Sequence, residues 1–272
     1  QPLLLVHDGT NNYWWGSGVT GNYCSTPNAA ANQITGDIEF VIKANANWAT
    51  NSGLKAIISK YSGSNSSFLI GLNNTSIYIE IPLADATTCV GSSSSIPLSD
   101  STTAYIKVTR KLSTGDCNVY YSTDGITYNN IGTFTSNAGI NIKSSTFDVR
   151  VGLYSTSNSP FLGKIYRATI SNSIGGAPVV NFSPNDYNAS TSQSYWDSSI
   201  TGERWTISQN SSSTGYKGVL VNRSILQGDG IDDIICTTSA ITSTIFTNYT
   251  AFNALYFYGG SGKAICGDNG LS

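Results

Sequence analysis

Residues 21–42 read GNYCSTPNAAANQITGDIEFVI. A Gly-Asn turn leads into a short polar strand over 23–26, then a small-residue loop, then a strand of strict alternation. In that strand Ile38, Phe40 and Ile42 point one way, while Asp37, Glu39, Val41 and Lys43 point the other. A period of two means one buried face and one largely wet face. The apolar face of such a strand needs a second sheet to cover it.

Working outward, the chain offers strands at short intervals. Residues 54–60 (LKAIISK), 67–72 (SFLIGL) and 76–81 (SIYIEI) are three, with Asn73-Asn74-Thr75 as a hairpin turn between the last two. Residues 91–95 read as a polar loop. In residues 103–110 (TAYIKVTR), Ala104, Ile106 and Val108 share one face, and Tyr105, Lys107 and Thr109 the other. Residues 117–123 and 126–132 flank Asp124-Gly125, a hairpin signal. Residues 147–154, 163–174 and 179–182 follow, and Trp205-Thr206-Ile207 closes the unit. No segment between these runs carries a 3.6-residue period. Many short strands with Gly, Asn and Asp turns predict an all-β, antiparallel two-sheet sandwich.

Composition narrows the function classes. Of 272 residues only 11 % are charged, and the formal net charge is −2; soluble domains average roughly 25 % charged. Ser, Thr, Asn and Gly fill the gap, and 39 % hydrophobic residues suffice for a core. The 14 Lys and Arg are scattered, which argues against binding nucleic acid through its phosphates. No apolar run approaches the ~20 residues of a membrane helix, and Leu3-Leu4-Leu5-Val6 is too short for a signal peptide. The absence of Met and the opening Gln1 suggest a processed product or, the favoured reading, a piece of a longer polypeptide.

The five cysteines are Cys24, Cys89, Cys117, Cys236 and Cys266, and His7 is the sole histidine. Without a CxxC pattern, zinc of the usual spacing is not expected. The cysteines read as scattered buried thiols, with Cys236 and Cys266 as the pair to test for a disulfide. Residues 1–20 read as a lead-in built on turn chemistry around Asp8-Gly9. Its Tyr13-Trp14-Trp15 run suits a sugar-stacking platform, a cover for the sandwich, or a subunit contact.

Several motifs, taken in order, resemble laminin-G-like, concanavalin A-like jelly-roll domains of the kind found in bacteriophage tail and other virion surface proteins. They are residues 22–30 (NYCSTPNAA) with 34–39 (ITGDIE), Trp48 in the following loop, and Ile57-Ile58-Ser59-Lys60-Tyr61. Leu98-Ser99-Asp100 then precedes residues 105–109 (YIKVT). After these come 121–128 (YSTDGITY), 163–168 (GKIYRA), and 197–199 with 201–207 (DSS, TGERWTI). The likeness covers roughly residues 20–210, so residues 21–210 are expected to form the sandwich. Residues 211–272 are then a linker and, from Gln227-Gly228-Asp229-Gly230, either the start of a second domain or a C-terminal interaction element.

The resemblance implies carbohydrate binding. A sugar site needs an aromatic plane with a few convergent polar groups. Trp14, Trp15, Trp48 and Tyr61 are the candidates, while Phe40 and Trp205 are assigned to the core. Glycan-cleaving relatives resemble one another in a Glu-x-Asp-x-x-Glu strand. Here only Asp37-Ile38-Glu39 stands, and the third carboxylate is missing. Ser122-x-Asp124-Gly125-x-Thr127 resembles a sialidase Asp-box one residue short and reads as a tight hairpin. Jelly-roll relatives often bind calcium through loop carboxylates and carbonyls; Asp229, Asp232 and Asp233, and separately Asp85 and Asp100, are the candidate ligands here, and none forms the D-x-D-x-D-G loop. No other cofactor is expected.

The sequence is therefore read as a non-enzymatic virion surface protein: a phage tail, fibre or head-decoration component. Its expected partners are other virion subunits in a homo-oligomer and host surface glycans, with no nucleic acid and no membrane insertion. A secreted bacterial adhesin or surface-filament subunit, and a glycan hydrolase of the same fold, are the alternatives.

Overall fold

The structure is a computed structural model that describes residues 5–7, 10–155, 159–188 and 193–208. All of them belong to the first of two compact units, Gln1–Ile225. The second unit, Leu226–Ser272, lies outside the described residues.

The described residues form sixteen strands and two 3-10 turns. In chain order the strands are β1 (Leu5–His7), β2 (Asn12–Ser17), β3 (Tyr23–Thr26), β4 (Ile38–Ala46), β5 (Leu54–Ser62), β6 (Asn65–Asn73), β7 (Ser76–Pro82) and β8 (Thr88–Ser95). They continue as β9 (Thr103–Arg110), β10 (Asp116–Ser122), β11 (Asn129–Thr135), β12 (Val149–Val151), β13 (Leu162–Ser171), β14 (Pro178–Phe182), β15 (Tyr195–Asp197) and β16 (Arg204–Ser208). Sheet I runs β1-β2-β13-β4-β9-β10-β11, with β14 also paired to β13; sheet II runs β15-β16-β3-β12-β5-β6-β7-β8. Every pairing within them is antiparallel. The fold is the expected antiparallel two-sheet jelly-roll sandwich.

Alternation builds the core. Ile38, Phe40, Ile42 and Ala44 of β4 are buried, as are Ala104, Ile106 and Val108 of β9. Sheet II answers with Ile77, Ile79 and Ile81 of β7 and with Phe68, Ile70 and Leu72 of β6. Three contacts tie the sheets together. Phe40 meets Phe68 edge-on at 4.9 Å between ring centroids. At one side of the sandwich Phe182 meets Trp205 edge-on at 5.0 Å, the offset geometry that ring quadrupoles favour. At the other side the sulfurs of Cys89 on β8 and Cys117 on β10 meet across the sheets as a disulfide. This pair replaces the reading of Cys89 and Cys117 as scattered thiols, because residues far apart in sequence are brought face to face only by sheet packing. Cys24 is buried and free, and burial pushes its thiol up. Cys236 and Cys266 lie outside the described residues.

The structure departs from the sequence reading in four places. Residues 12–17 are not lead-in: β2 pairs with β13, and Trp14 is wholly buried. Gly152 makes room for that indole. It sits at φ +93° with its α-carbon against the Trp14 ring, so a side chain there would be both strained and in collision. Residues 91–95 are part of strand β8 rather than a loop. Only Cys89 and Ser93 of β8 are buried, so its backbone pairing with β7, not side-chain alternation, holds it in place. Residues 147–154 supply only the three-residue β12, since the chain turns at Gly152. The Asp124-Gly125 hairpin is wider than a two-residue turn, with residues 123–128 between β10 and β11.

Two of the buried cations, Arg110 and Lys60, hold loops. Arg110, inside the sandwich, donates to the carbonyls of Asn137 and Ile140 and to Ser136 Oγ. Lys60, also wholly buried, donates from Nζ to Asn28 Oδ1 (2.7 Å), Asn32 Oδ1 (2.6 Å) and the Asn32 carbonyl (3.2 Å), and so pins the loop that carries the turn Ala30–Asn32. Burial pushes the Lys60 ammonium down to about 8, against an opposing pull from Asp148. Folding thus disfavours its protonated form. Between pH 8 and the ordinary lysine value of about 10.4, the unfolded chain holds more protons than the folded one, and stability rises with pH. Lys60→Met, which removes the three Nζ hydrogen bonds while Asn28 Oδ1 keeps Gln33 and Asn32 Oδ1 keeps the Ala29 amide, is expected to cost about 1–3 kcal/mol at pH 7. The gap to wild type is expected to widen between pH 8 and 10, as read by denaturant unfolding at each pH. A gap that stays constant would rule out a titrating Lys60.

Candidate functional site

The register of sheet I decides what stands on its outer face. Trp14 pairs with Ile165 on the inside, so Trp15 of β2 and Lys164 of β13 pair on the outside. Ile42 pairs with Ile106 inside, which sets Lys43 opposite Tyr105 and Val41 opposite Lys107 outside. Lys107 in turn stands opposite Tyr120 of β10. A register shift between Ile165 and Arg167 takes Tyr166 out of the alternation, and its ring meets Tyr13 at 5.4 Å.

On this face ammonium groups sit among rings. Lys43 Nζ lies 5.6 Å from the Tyr105 centroid and 5.4 Å from that of Tyr166. Lys107 Nζ lies 5.0 Å from Tyr120 and 4.0 Å from Tyr128. Lys164 Nζ lies 4.8 Å from Tyr13. Contacts of this kind contribute about 0.5–1 kcal/mol each at exposed sites. Their larger consequence is order: each long lysine chain is held in one place above the sheet. Trp15, Lys43, Tyr105, Lys107, Tyr120, Tyr128 and Lys164 are all half-buried, so each keeps some surface open to solvent. Burial first, then Tyr105 and the charges of Glu39 and Asp124, push the Tyr128 phenol up.

The β10–β11 loop closes over one end of the face. Asp124 Oδ1 accepts from the amides of Ile126 and Thr127 (both 2.8 Å) and from Ser122 Oγ (2.7 Å). These donors hold its carboxyl well below the usual carboxylate range. Gly125, at φ +75°, lays its backbone against the Tyr105 ring, where a side chain would crowd the ring. The Asp-box-like motif is therefore a loop clasp.

The four aromatic candidates from the sequence do not form one site. Trp14 and Trp48 are core residues with no exposed surface, and the Trp48 indole donates to the Thr102 carbonyl at 2.7 Å. A ring without an exposed face cannot stack on a sugar. Trp15 joins the outer face of sheet I. Tyr61 lies on the other sheet, where its hydroxyl donates to Glu80 Oε1 at 2.5 Å; Tyr78 donates to Oε2 at 2.8 Å. Burial, then Glu80, push both phenols up. The sequence reading passed over Lys43, Tyr105, Lys107, Tyr120, Tyr128 and Lys164. Their signal was legible strand by strand, as tyrosine and lysine at the wet positions of alternating strands.

The calcium candidates fare differently. Asp229, Asp232 and Asp233 lie outside the described residues. Asp85 accepts from Thr87 N (3.0 Å), Thr87 Oγ1 (2.5 Å) and Asn137 Nδ2 (2.7 Å). Asp100 accepts from Ala49 N (2.7 Å), Thr50 N (3.2 Å) and Thr50 Oγ1 (2.5 Å). Both carboxylates serve as loop clasps, and among the described residues no three acidic, His or Cys side chains gather as metal ligands. These two sites do not fit calcium.

No protein-family model matches the chain, and no curated protein does. Solved structures do. The CBM40 domain of a Ruminococcus gnavus sialidase bound to α2,3-sialyllactose is 11 % identical, with a TM-score of 0.43 over 59 % of this chain and 90 % of that one. The binding domain of botulinum neurotoxin serotype G is 12 % identical, with a TM-score of 0.46 over 64 % and 42 %. Domains LG4-5 of the mouse laminin α1 chain are 12 % identical, with a TM-score of 0.43 over 58 % and 42 %. At such identities the likeness is one of fold, and function is argued from the site.

Asp124→Ala removes the clasp without touching the core. The amides of Ile126 and Thr127 are expected to exchange with solvent markedly faster, while those of Ile106 and Val119 keep their protection. Because the carboxyl titrates low, the wild-type clasp is expected to hold as pH falls through about 3.9 and to open only below it. Unchanged exchange at 126 and 127 would mean that the loop is held by other contacts.

Proposed function

We propose that the chain is a non-enzymatic adhesion protein that binds glycans on the outer face of sheet I. The observation that carries this reading is the open row of rings and ammonium groups: Trp15, Tyr105, Tyr120 and Tyr128 interleaved with Lys43, Lys107 and Lys164. Ring faces stack on the apolar faces of sugars, and ordered polar groups fix hydroxyls or charges at the ring edges. The groups gathered there suit binding rather than bond cleavage. Asp37 spends an oxygen on the Leu112 amide at 2.7 Å, and Glu39 is nearly buried. The motif resemblance supports a place on a virion surface, as a tail, fibre or head-decoration component in a homo-oligomer with the face turned outward.

A glycan array probed with wild type and with Tyr105→Ala/Tyr120→Ala tests the binding. Loss of two stacked rings is expected to weaken a positive signal by more than tenfold, with thermal unfolding little changed, since both rings lie outside the core. An array that stays blank, or one that the double variant reproduces, would refute it. Antibody decoration of intact particles tests the virion placement; particles left unlabelled would count against it.

A further inference from the structure

The three lysines of the face lie on one line. Lys107 stands on β9 opposite Val41 of β4. Two residues further along β4 is Lys43, and two residues beyond that is Asn45, opposite Lys164 of β13. Each step from Lys107 to Lys43 to Lys164 is therefore one strand across and two residues along. With strands about 4.8 Å apart and a rise of about 3.4 Å per residue, the step is about 8 Å. A second line runs beside it. Tyr120 stands on β10 opposite Lys107, and Tyr105 on β9 opposite Lys43, so the two rings keep the same diagonal displaced by one strand. Trp15, opposite Lys164 on its far side, closes the other flank.

Charge is also sorted along the face. Glu39, opposite Thr109, and Asp116, at the start of β10, occupy the end away from Lys164. Lys107, Lys43, Lys164 and the exposed Arg167 occupy the rest of the strands, with the exposed Asp124 beside them in the β10–β11 loop, its Oδ1 committed to that loop's amides and to Ser122. Each lysine is braced against one or two tyrosine rings, so its ammonium is held over an apolar surface rather than swinging in water.

We infer that the ligand of this face is an acidic glycan chain, one that carries carboxylates or sulfates at regular intervals and runs along the lysine diagonal with its sugar rings on Tyr105 and Tyr120. This deepens the glycan-binding reading and rests on it. Regular spacing is the point: one cation would suit any anion, whereas a straight row at a fixed step suits a repeating polyanion. A nucleic acid shares the negative charge, but four cations on a chain of net charge −2 form a small electrostatic footprint for it.

The test is binding of the intact chain to polygalacturonate, dextran sulfate, neutral dextran and a thymidine oligonucleotide, immobilised in parallel and titrated at 50 and 500 mM salt. Polygalacturonate or dextran sulfate is expected to bind, and the one that binds identifies carboxylate or sulfate as the charge recognised. Affinity should fall at least tenfold at the higher salt. Lys43→Gln, Lys107→Gln and Lys164→Gln should each weaken it about two- to fivefold, and the triple variant more than tenfold, with cooperative unfolding retained at a midpoint lowered by the lost ring contacts. If only neutral glycans bind, here or on the array, and the lysine variants bind them normally, the acidic ligand is wrong while glycan binding stands. If no saccharide binds, both readings fall. Polyanion binding that the triple variant retains places it elsewhere on the chain and overturns the inference, as does tighter binding of the oligonucleotide.

Discussion

Phe40 meeting Phe68 edge-on between the sheets is the contact around which the rest is arranged. It places the inner row of β4 against the inner row of β6, and alternation then dictates the rest of both strands. A one-residue slip of β4 would send Glu39, Val41 and Lys43 into the core, so the register is strongly held. From β4 it passes to β9 and β13 by backbone pairing, and from them to β10 and β2. The outer face of sheet I is the complement of this core: what the inside cannot take, the outside displays in a fixed pattern.

The buried cations belong to the same logic. Lys60 and Arg110 point inward from strands whose neighbours are apolar, and such placement is costly unless every ammonium or guanidinium hydrogen finds an acceptor. Lys60 finds three oxygens in one loop, and Arg110 finds a hydroxyl through Nε and two carbonyls through Nη2 in another, while its Nη1 is buried without a partner among the described residues. Long polar loops that would otherwise wander over the sandwich ends are thereby anchored from below. The lysines of the outer face have no such duty; they are ordered by rings, not by carbonyls.

Trp14 and Trp15 show how finely the division between core and surface is drawn. They are neighbours in sequence and look alike in composition. One indole is sealed between the sheets against Gly152, and the other lies outside beside Lys164. The same step of one residue separates Tyr13 from Trp14. Three adjacent aromatics thus become one core anchor, Trp14, one ring buried under the outer face, Tyr13, and one half-buried ring, Trp15, because alternation along the paired strand sets their sides.

The class of fold, the strands with clear alternation, and the inward and outward sides of β4 and β9 are legible in the local pattern, because a period of two is a property that burial on one face writes directly into the chain. The sequence also marked Phe40 and Trp205 as core. The tertiary structure alone decided which strands lie side by side. That pairing joined Lys107, Lys43 and Lys164 into a line, brought Cys89 to Cys117, drew Trp14 and Trp48 inside, and sent Tyr61 to the opposite sheet from Trp15. Edge strand β8 escaped notice for a related reason, since its Ser and Gly residues leave no alternation to read and only its backbone bonds to β7 define it. Neighbour relations between strands distant in sequence come from packing two apolar faces together, and no local pattern encodes them.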